Sequence, residues 1–323
     1  MRTTFCALGA LLLAAAAASA DDSSAALAAG GVVFTKGTPV QMKAEDLYVS
    51  PKAVRIRFEF ANDSNKDVDT LVAFPLPDID TATYWGSPVG TVTDDPVNFV
   101  GFKAQVDGKP VSFKVEQRAF VKDKDVTALL AAIGLPINPV AGEGYQRYEK
   151  LPYEQRKRLF DVHAADGDAK DFVPQWIVRT KFYWLQHFPA HKILVVEHSY
   201  QPVTGQSFFG KSNLADKDSM DARNFCIDAP TKAKIVAMSN ARLKAKADNG
   251  EYLNAYRTDY ILKTANNWNG PIGRFHLTLD KLKPDNVLSL CWDGVLKRTG
   301  PATFEDARVN FTPTRDIHML VLE

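Results

Sequence analysis

Three observations predict a mainly β fold, two tandem antiparallel sandwich-like halves with a few short helices. Val54, Ile56, Phe58 and Phe60 alternate with Arg55, Arg57 and Glu59, and β-branched and aromatic residues at a period of two mark a half-buried strand. Comparable runs recur along the chain between clusters of Gly, Pro, Asn and Asp, without the strand–helix alternation of a parallel sheet. A composition of 46% hydrophobic and 11% aromatic residues over 323 positions supplies ample core.

The first 20 residues read as an export signal, with Arg2, an apolar run over 7–18 and a small-residue site at Ala18-Ser19-Ala20. Cleavage after Ala20 leaves 323 − 20 = 303 residues. No later run approaches the ~18 uninterrupted apolar residues of a spanning helix, so the expected location is the periplasm or the exterior. Residues 21–165 are the first expected half, a sandwich with a helical appendage, and 166–323 the second, with one helix.

Residues 21–29, polar and rich in alanine, predict a loosely held terminus. Strands follow at 32–35 and 40–49. The run 54–60, the turn chemistry of Asn62-Asp63-Ser64-Asn65 and the run 70–74, stopped by Pro75 and Pro77, read as an antiparallel pair with one wet face. Residues 78–98 are rich in Asp, Thr, Gly and Pro without a period, a long surface loop of the kind that carries binding function. Asp107-Gly108 between two alternating runs predicts a hairpin. Asp123 or Asp125 caps a helix over 126–133, ended by Gly134 and Pro136, and Pro152 opens another over 153–160.

A connecting loop at 161–174 leads to the second half. There Trp176, Val178, Thr180, Phe182 and Trp184 share one face of a long strand, which a turn at Phe188-Pro189-Ala190 joins to 193–200 as a hairpin. A polar loop fills 205–219. Asp228 and Pro230 start a helix to about Met238. Five more strands are expected over 252–264, 272–279, 287–292, 304–311 and 317–322.

The formal net charge is +1, and removal of Arg2 with the signal leaves 38 basic against 38 acidic residues. That balance excludes the basic surplus by which nucleic-acid binders meet phosphate. Cleavage also leaves two cysteines, Cys226 and Cys291. An isolated pair in an exported chain predicts a disulfide, which on chain-entropy grounds stabilises by roughly 4 kcal/mol for a loop of about 66 residues.

The strings ALAAGGVVFTK, EDLYVSPKAVRIRFEFAN and VAFPLPDI, followed by FYWLQHFPA, VVEHSYQP, FCID, YILKTANNW, GPIGRFHL and LSLCW, resemble a secreted bacterial family known as a domain of unknown function. The resemblance spans nearly all of the mature chain and implies no activity or ligand. More loosely, the first half is similar to the β domains of vault and inter-α-trypsin-inhibitor type, through its aromatic strand, Asn turn, FPLP exit and VDGKPV hairpin. That likeness implies a sandwich but no chemistry, and the DxSxS adhesion motif of the usual partner domain is absent.

His187, His191 and His198 cluster around one expected hairpin, but their register fixes no zinc geometry, and no metal site or cofactor is expected. No G-x-S-x-G elbow exposes a serine. Asp78, Asp80, Asp94 and Asp95 read as solvated loop residues, with weak calcium binding the lesser reading. Tyr84, Trp85, Asn266, Asn267 and Trp268 are the candidate ligand-binding residues. Their aromatic rings break the core-facing period and lie beside amide or acid side chains, a combination suited to glycan or peptide contact. The leading expectation is an exported, non-enzymatic binding or assembly-support module whose partner is an envelope protein, peptide or glycan. The alternative is a periplasmic hydrolase or glycan-acting enzyme with Asp78, Asp80, His187 and Asn267 in a cleft between the halves.

Overall fold

The computed structural model describes residues 23–28, 31–85, 91–141, 143–167, 173–205, 207–215 and 220–323. The expected export signal lies outside them. The main strands of the earlier part are β1 (Ser23–Ala28), β2 (Gly31–Phe34), β3 (Val40–Ser50), β4 (Ala53–Asn62), β5 (Val68–Pro75), β6 (Lys103–Val106) and β7 (Lys114–Val121). Those of the later part are β8 (Ile177–Phe188), β9 (Lys192–Tyr200), β10 (Ser207–Phe209), β11 (Leu253–Tyr260), β12 (Ile272–Asp280), β13 (Val287–Ser289), β14 (Thr303–Phe311) and β15 (Ile317–Leu322).

The fold is mainly β, as expected, and its described strands form three large sheets. The first has the order β7-β8-β5-β1-β2, with Lys124–Asp125 beyond β7 and Ile79–Asp80 also on β8. The second runs β14-β12-β3-β4-β9-β6, edged by Lys297–Arg298 and Lys109–Pro110. The third is β10-β11-β15-β13. Pairing is antiparallel except between β12 and β3, which run parallel. Phe58 and Phe60 of the second sheet, Phe74 and Phe182 of the first, and Tyr260 and Met319 of the third share one core. The second sheet is thus a floor on which the other two pack. The far face of β15, through Leu320 and Leu322, packs with Ile235 of the helix Ala229–Lys244. Each such fully buried apolar side chain contributes about 1.5–3 kcal/mol.

Helix ends follow the expected capping chemistry. The Asp228 carboxylate accepts from the Thr231 amide at 2.8 Å, and the helix continues past Met238 to Lys244. Asp125 accepts from the Thr127 amide at 2.8 Å, ahead of Thr127–Ala132. Tyr153–Phe160 follows Pro152. The short helices Gly144–Glu149 and Met220–Phe225 had no apolar period to announce them. The Asp107-Gly108 turn is present, Val106 opposite Lys109, with both turn residues at positive φ, 49° and 73°, a conformation glycine adopts without strain; the hairpin ends at Lys109–Pro110, however, and the expected second strand, β7, pairs with β8 in the first sheet.

Two expected local pairs take a different form. β4 pairs with β3 and β9, while β5 pairs with β8 and β1. The turn after Asn62 is therefore an arch from one sheet to the facing sheet, and not a hairpin. Phe188-Pro189-Ala190 likewise carries the chain from β8 in the first sheet to β9 in the second. The cause is that both strands of each pair have an apolar face, and those faces meet across the core. The arches lie together at Asn62, whose Nδ2 donates to the carbonyls of Lys66 and Phe188, both at 2.8 Å. The His191 amide donates to the Asn62 carbonyl at 2.8 Å.

The supposed loose terminus is also corrected, because residues 23–28 form β1, tied to β2 and β5. The first and second sheets each draw strands from either side of residue 165, so these two sheets do not separate along the 165/166 boundary.

Candidate ligand groove on the second sheet

The outward face of the second sheet is set by one irregularity in β3. Met42 lies opposite Phe60, but Ala44 lies opposite Glu59, so Lys43 is the extra residue of a bulge. Beyond it the alternation changes phase. Glu45, Leu47 and Val49 turn into the core, while Asp46 and Tyr48 stay half exposed. Gly273 of β12 makes room for the bulge, since a Cβ there would lie 2.6 Å from the Lys43 carbonyl oxygen.

With that phase, the register aligns two polar rows across β6, β9, β4, β3 and β12. One row is Gln105, Glu197, Arg57, Asp46 and His276; the other is Lys103, Ser199, Arg55, Tyr48 and Thr278. Together they line an open groove of about 370 Å³, within the size range of small-molecule sites.

Arg57 is the hub of the first row. Its Nη1 is 2.7 Å from Glu59 and 3.8 Å from Asp46, and the Glu59 hydrogen bond raises the guanidinium further above its ordinary pKa. His276 lies between two carboxylates, Nδ1 3.8 Å from Asp46 and Nε2 3.5 Å from Glu305. In the second row Arg55 stacks 3.8 Å above the Tyr48 ring, and the Tyr48 hydroxyl donates to Asp280 at 2.8 Å. Exposed ion pairs of this kind contribute only about 0–1 kcal/mol to stability. Their consequence is to set donors and acceptors side by side along the groove.

Directly behind the rows, Glu45 is fully buried and accepts from the Tyr260 hydroxyl at 3.4 Å. Burial pushes its carboxyl up to about 8 against the opposing Tyr260 bond, and the nearby Asp46 charge adds to the rise.

The residues singled out from the sequence lie elsewhere and do not come together. Trp268 is only 4% exposed, packed on Phe60 at 4.6 Å and Phe188 at 6.0 Å between ring centres. Asn266 donates to the Pro313 carbonyl at 2.9 Å, and Asn267 ends a short 3-10 helix, Lys263–Asn267. Trp85 packs edge-on to Tyr148 at 4.8 Å, and Tyr148 lies 6.1 Å from Trp176. Tyr84 closes a small cavity of about 30 Å³ with Tyr200, Pro202 and Asp259, and burial pushes its phenol up to about 12. Trp176 precedes β8 and Phe188 ends it, so the two loops sit at opposite ends of a strand that rises ~3.3 Å per residue. They share no rim.

The acid and histidine candidates are dispersed as well. Asp80 caps the turn at Thr81–Tyr84, and Asp78 pairs with Arg179 at 3.2 Å, both beside the start of β8. His187, near the other end of β8, lies 2.8 Å from Asp69. His191 contacts Asn65 at 2.9 Å, and His198 is buried among Phe58, Phe74, Phe102 and Trp184. Asp95 accepts from the Val97 amide at 2.8 Å. Among the described residues no group of three or more His, Cys, Asp or Glu is placed to hold a metal. The cleft imagined for Asp78, Asp80, His187 and Asn267 is therefore not assembled.

The expected Cys226–Cys291 disulfide is present, with Cα atoms 5.0 Å apart. It ties the segment between the helices Met220–Phe225 and Ala229–Lys244 to the end of β13. None of the described helices is long and apolar enough to cross a membrane.

The groove escaped the sequence reading because outward charges on one strand look like an ordinary wet face. Only the register across five strands and the bulge phase bring them into rows. No protein of curated function matches the chain. A crystal structure from Legionella pneumophila subsp. pneumophila str. Philadelphia 1, provisionally named a nutrient binding protein, is similar with a TM-score of 0.46 and 14% identity, over 94% of this chain and 70% of that one. The family model for the domain of unknown function DUF4424 matches residues 20–320, and the chain belongs to that family.

Proposed function

We propose that this protein is a non-enzymatic, exported binding or assembly-support module of the cell envelope, and that its ligand lies in the groove of the second sheet. The observation that carries the reading is the pair of in-register polar rows, with Arg57 paired to Glu59 and Arg55 over Tyr48. A groove of about 370 Å³ suits a small molecule, a sugar unit or a protruding peptide side chain. The export signal read from residues 1–20 and the disulfide fit an oxidising compartment. The dispersal of Asp78, Asp80, His187 and Asn267 weighs against the hydrolase reading.

The test is a thermal-shift screen of sugars, amino acids, short peptides and nucleotides against the mature chain. Ligands that raise Tm should lose their effect in Arg57→Ala/His276→Ala, which removes the centre and one end of the first row. A hydrolytic turnover above background, abolished by a single substitution, would overturn the non-enzymatic reading.

A further inference from the structure

We infer that the ligand of this groove carries an oxyanion, a carboxylate or a phosphate, seated between Lys103 and Arg55 over the Ser199 hydroxyl. The inference rests on the groove being a ligand site. The carboxylates around Arg57 and Tyr48 are already engaged: Asp46 and Glu59 by Arg57, and Asp280 by the Tyr48 hydroxyl. Arg55 and Lys103 differ. Among the described residues neither has a carboxylate within 4.0 Å, so two cations without an ion-pair partner sit at one end of the second row, with Glu197 one pleat along in the neighbouring row.

Register puts these two cations on either side of Ser199. Neighbouring strands lie about 4.8 Å apart, so the Cα atoms of Lys103 and Arg55 are separated by about 10 Å. Two long basic side chains can close that distance on a single oxyanion, with the hydroxyl beneath as a third donor. The Arg55 guanidinium rests 3.8 Å from the Tyr48 ring, on the side of β4 away from Ser199, so it swings from that ring to meet the anion, where its planar fork matches the two oxygens of a carboxylate or phosphate. One pleat along β9, about 6.8 Å away, Glu197 stands beside Gln105. These acceptors call for a ligand with hydroxyl donors next to its acid group, the chemistry of a sugar acid or a sugar phosphate.

The experiment is an amide chemical-shift titration of the ¹⁵N-labelled mature chain with paired probes, glucose against glucuronate and glycerol against glycerol 3-phosphate. The acid member of each pair should shift amides of β4, β6 and β9, with an apparent Kd that weakens as salt screens the contact. Arg55→Gln/Lys103→Gln, at exposed positions and with Tm checked, should weaken that Kd at least about tenfold, the loss of one charge-assisted hydrogen bond or more. If the neutral probes shift the same amides equally and the double variant binds unchanged, the oxyanion assignment is wrong and the groove remains a ligand site. If neither the probes nor any ligand from the thermal screen moves a groove amide, both readings fall.

Discussion

Glu45 is a carboxyl group in a hydrocarbon core because Lys43 is bulged, and this gives the stability of the protein a definite pH signature. Its folded pKa is raised from 4.5 to about 8, chiefly by burial, so the folded state holds a proton that the unfolded chain releases. The resulting stabilisation is complete below pH 4.5 and is lost as pH rises toward 8. His198 acts in the opposite direction: burial lowers its pKa from 6.5 to about 3, so its contribution is complete above pH 6.5 and falls as acid protonates the unfolded chain. Between pH 4.5 and 6.5 the two slopes oppose each other, each at most ~1.4 kcal/mol per pH unit. Thermal melts from pH 3 to 9 should show Glu45→Gln with a flattened alkaline limb and His198→Leu with a flattened acid limb, whatever their absolute Tm. Parallel curves for wild type and both variants would show that neither group titrates as its burial requires. Trp268 makes a second point at this scale. Its sequence neighbours are Asn266, Asn267 and Asn269, which made it look like a rim residue, yet it fills the space over Phe60 and Phe188. Trp268→Ala should cost ~3–5 kcal/mol in denaturant melts; a variant as stable as wild type would return the ring to the surface. Neither Glu45 nor Trp268 was legible from sequence, because a bulge inverts the in–out pattern without changing composition, and polar neighbours do not reveal which way a ring points.

At the scale of elements, most of the main strands were legible from alternation, though Ser207–Phe209 lay in the expected polar loop, and the cap at Asp228 was legible from its side chain, whereas Asp125 stands one residue ahead of the N-cap Val126. Pairing partners were not. Asn62-Asp63-Ser64-Asn65 has the same turn chemistry whether the chain folds back within one sheet or arches to another; the choice depends on where distant apolar faces meet. Asn62 fixes the arch it sits in by an Nδ2 donation to Lys66 and joins it to the second arch by another to Phe188, both at 2.8 Å, and it accepts from the Ser64 hydroxyl at 2.7 Å. Asn62→Ala leaves two carbonyls short of a donor and should cost roughly 2–4 kcal/mol. Asn62→Asp is the sharper variant, since it keeps the acceptor for Ser64 and loses only the donor. It should melt well below wild type at neutral pH, and a wild-type melt would mean the donations do not hold the arches. The disulfide acts between other elements. Replacing both cysteines by Ser should remove up to roughly 4 kcal/mol, with hydrogen exchange accelerating first in Ala229–Lys244. Uniform acceleration across all three sheets would place the effect in global stability instead.

For the whole molecule, the second sheet is the unit on which everything else is assembled, and it is made from both ends of the sequence. β4 lies along β9 from Lys192 opposite Asn62 to Tyr200 opposite Val54. β3 is flanked by β4 on one side and β12 on the other. In the first sheet β8 separates β7 from β5. The sequence division at 165/166 followed a real change from short helices to long strands, but ladders between distant residues carry no local signature. A chain cut there would leave β4 and β5 each short of one neighbouring strand, and would expose the apolar faces of Phe58, Phe60, Phe74 and Phe182. Unpaired edges with such faces aggregate. Residues 21–165 and 166–323 expressed separately should therefore be insoluble or melt without a cooperative transition. Expressed together, they should reassociate, because each supplies the strands the other lacks, and the mixture should recover one transition near that of the intact chain. If 21–165 alone gives a sharp melt with dispersed amide resonances, the interleaved sheets are not what holds this fold, and the earlier half would have to close on itself without β8 and β9.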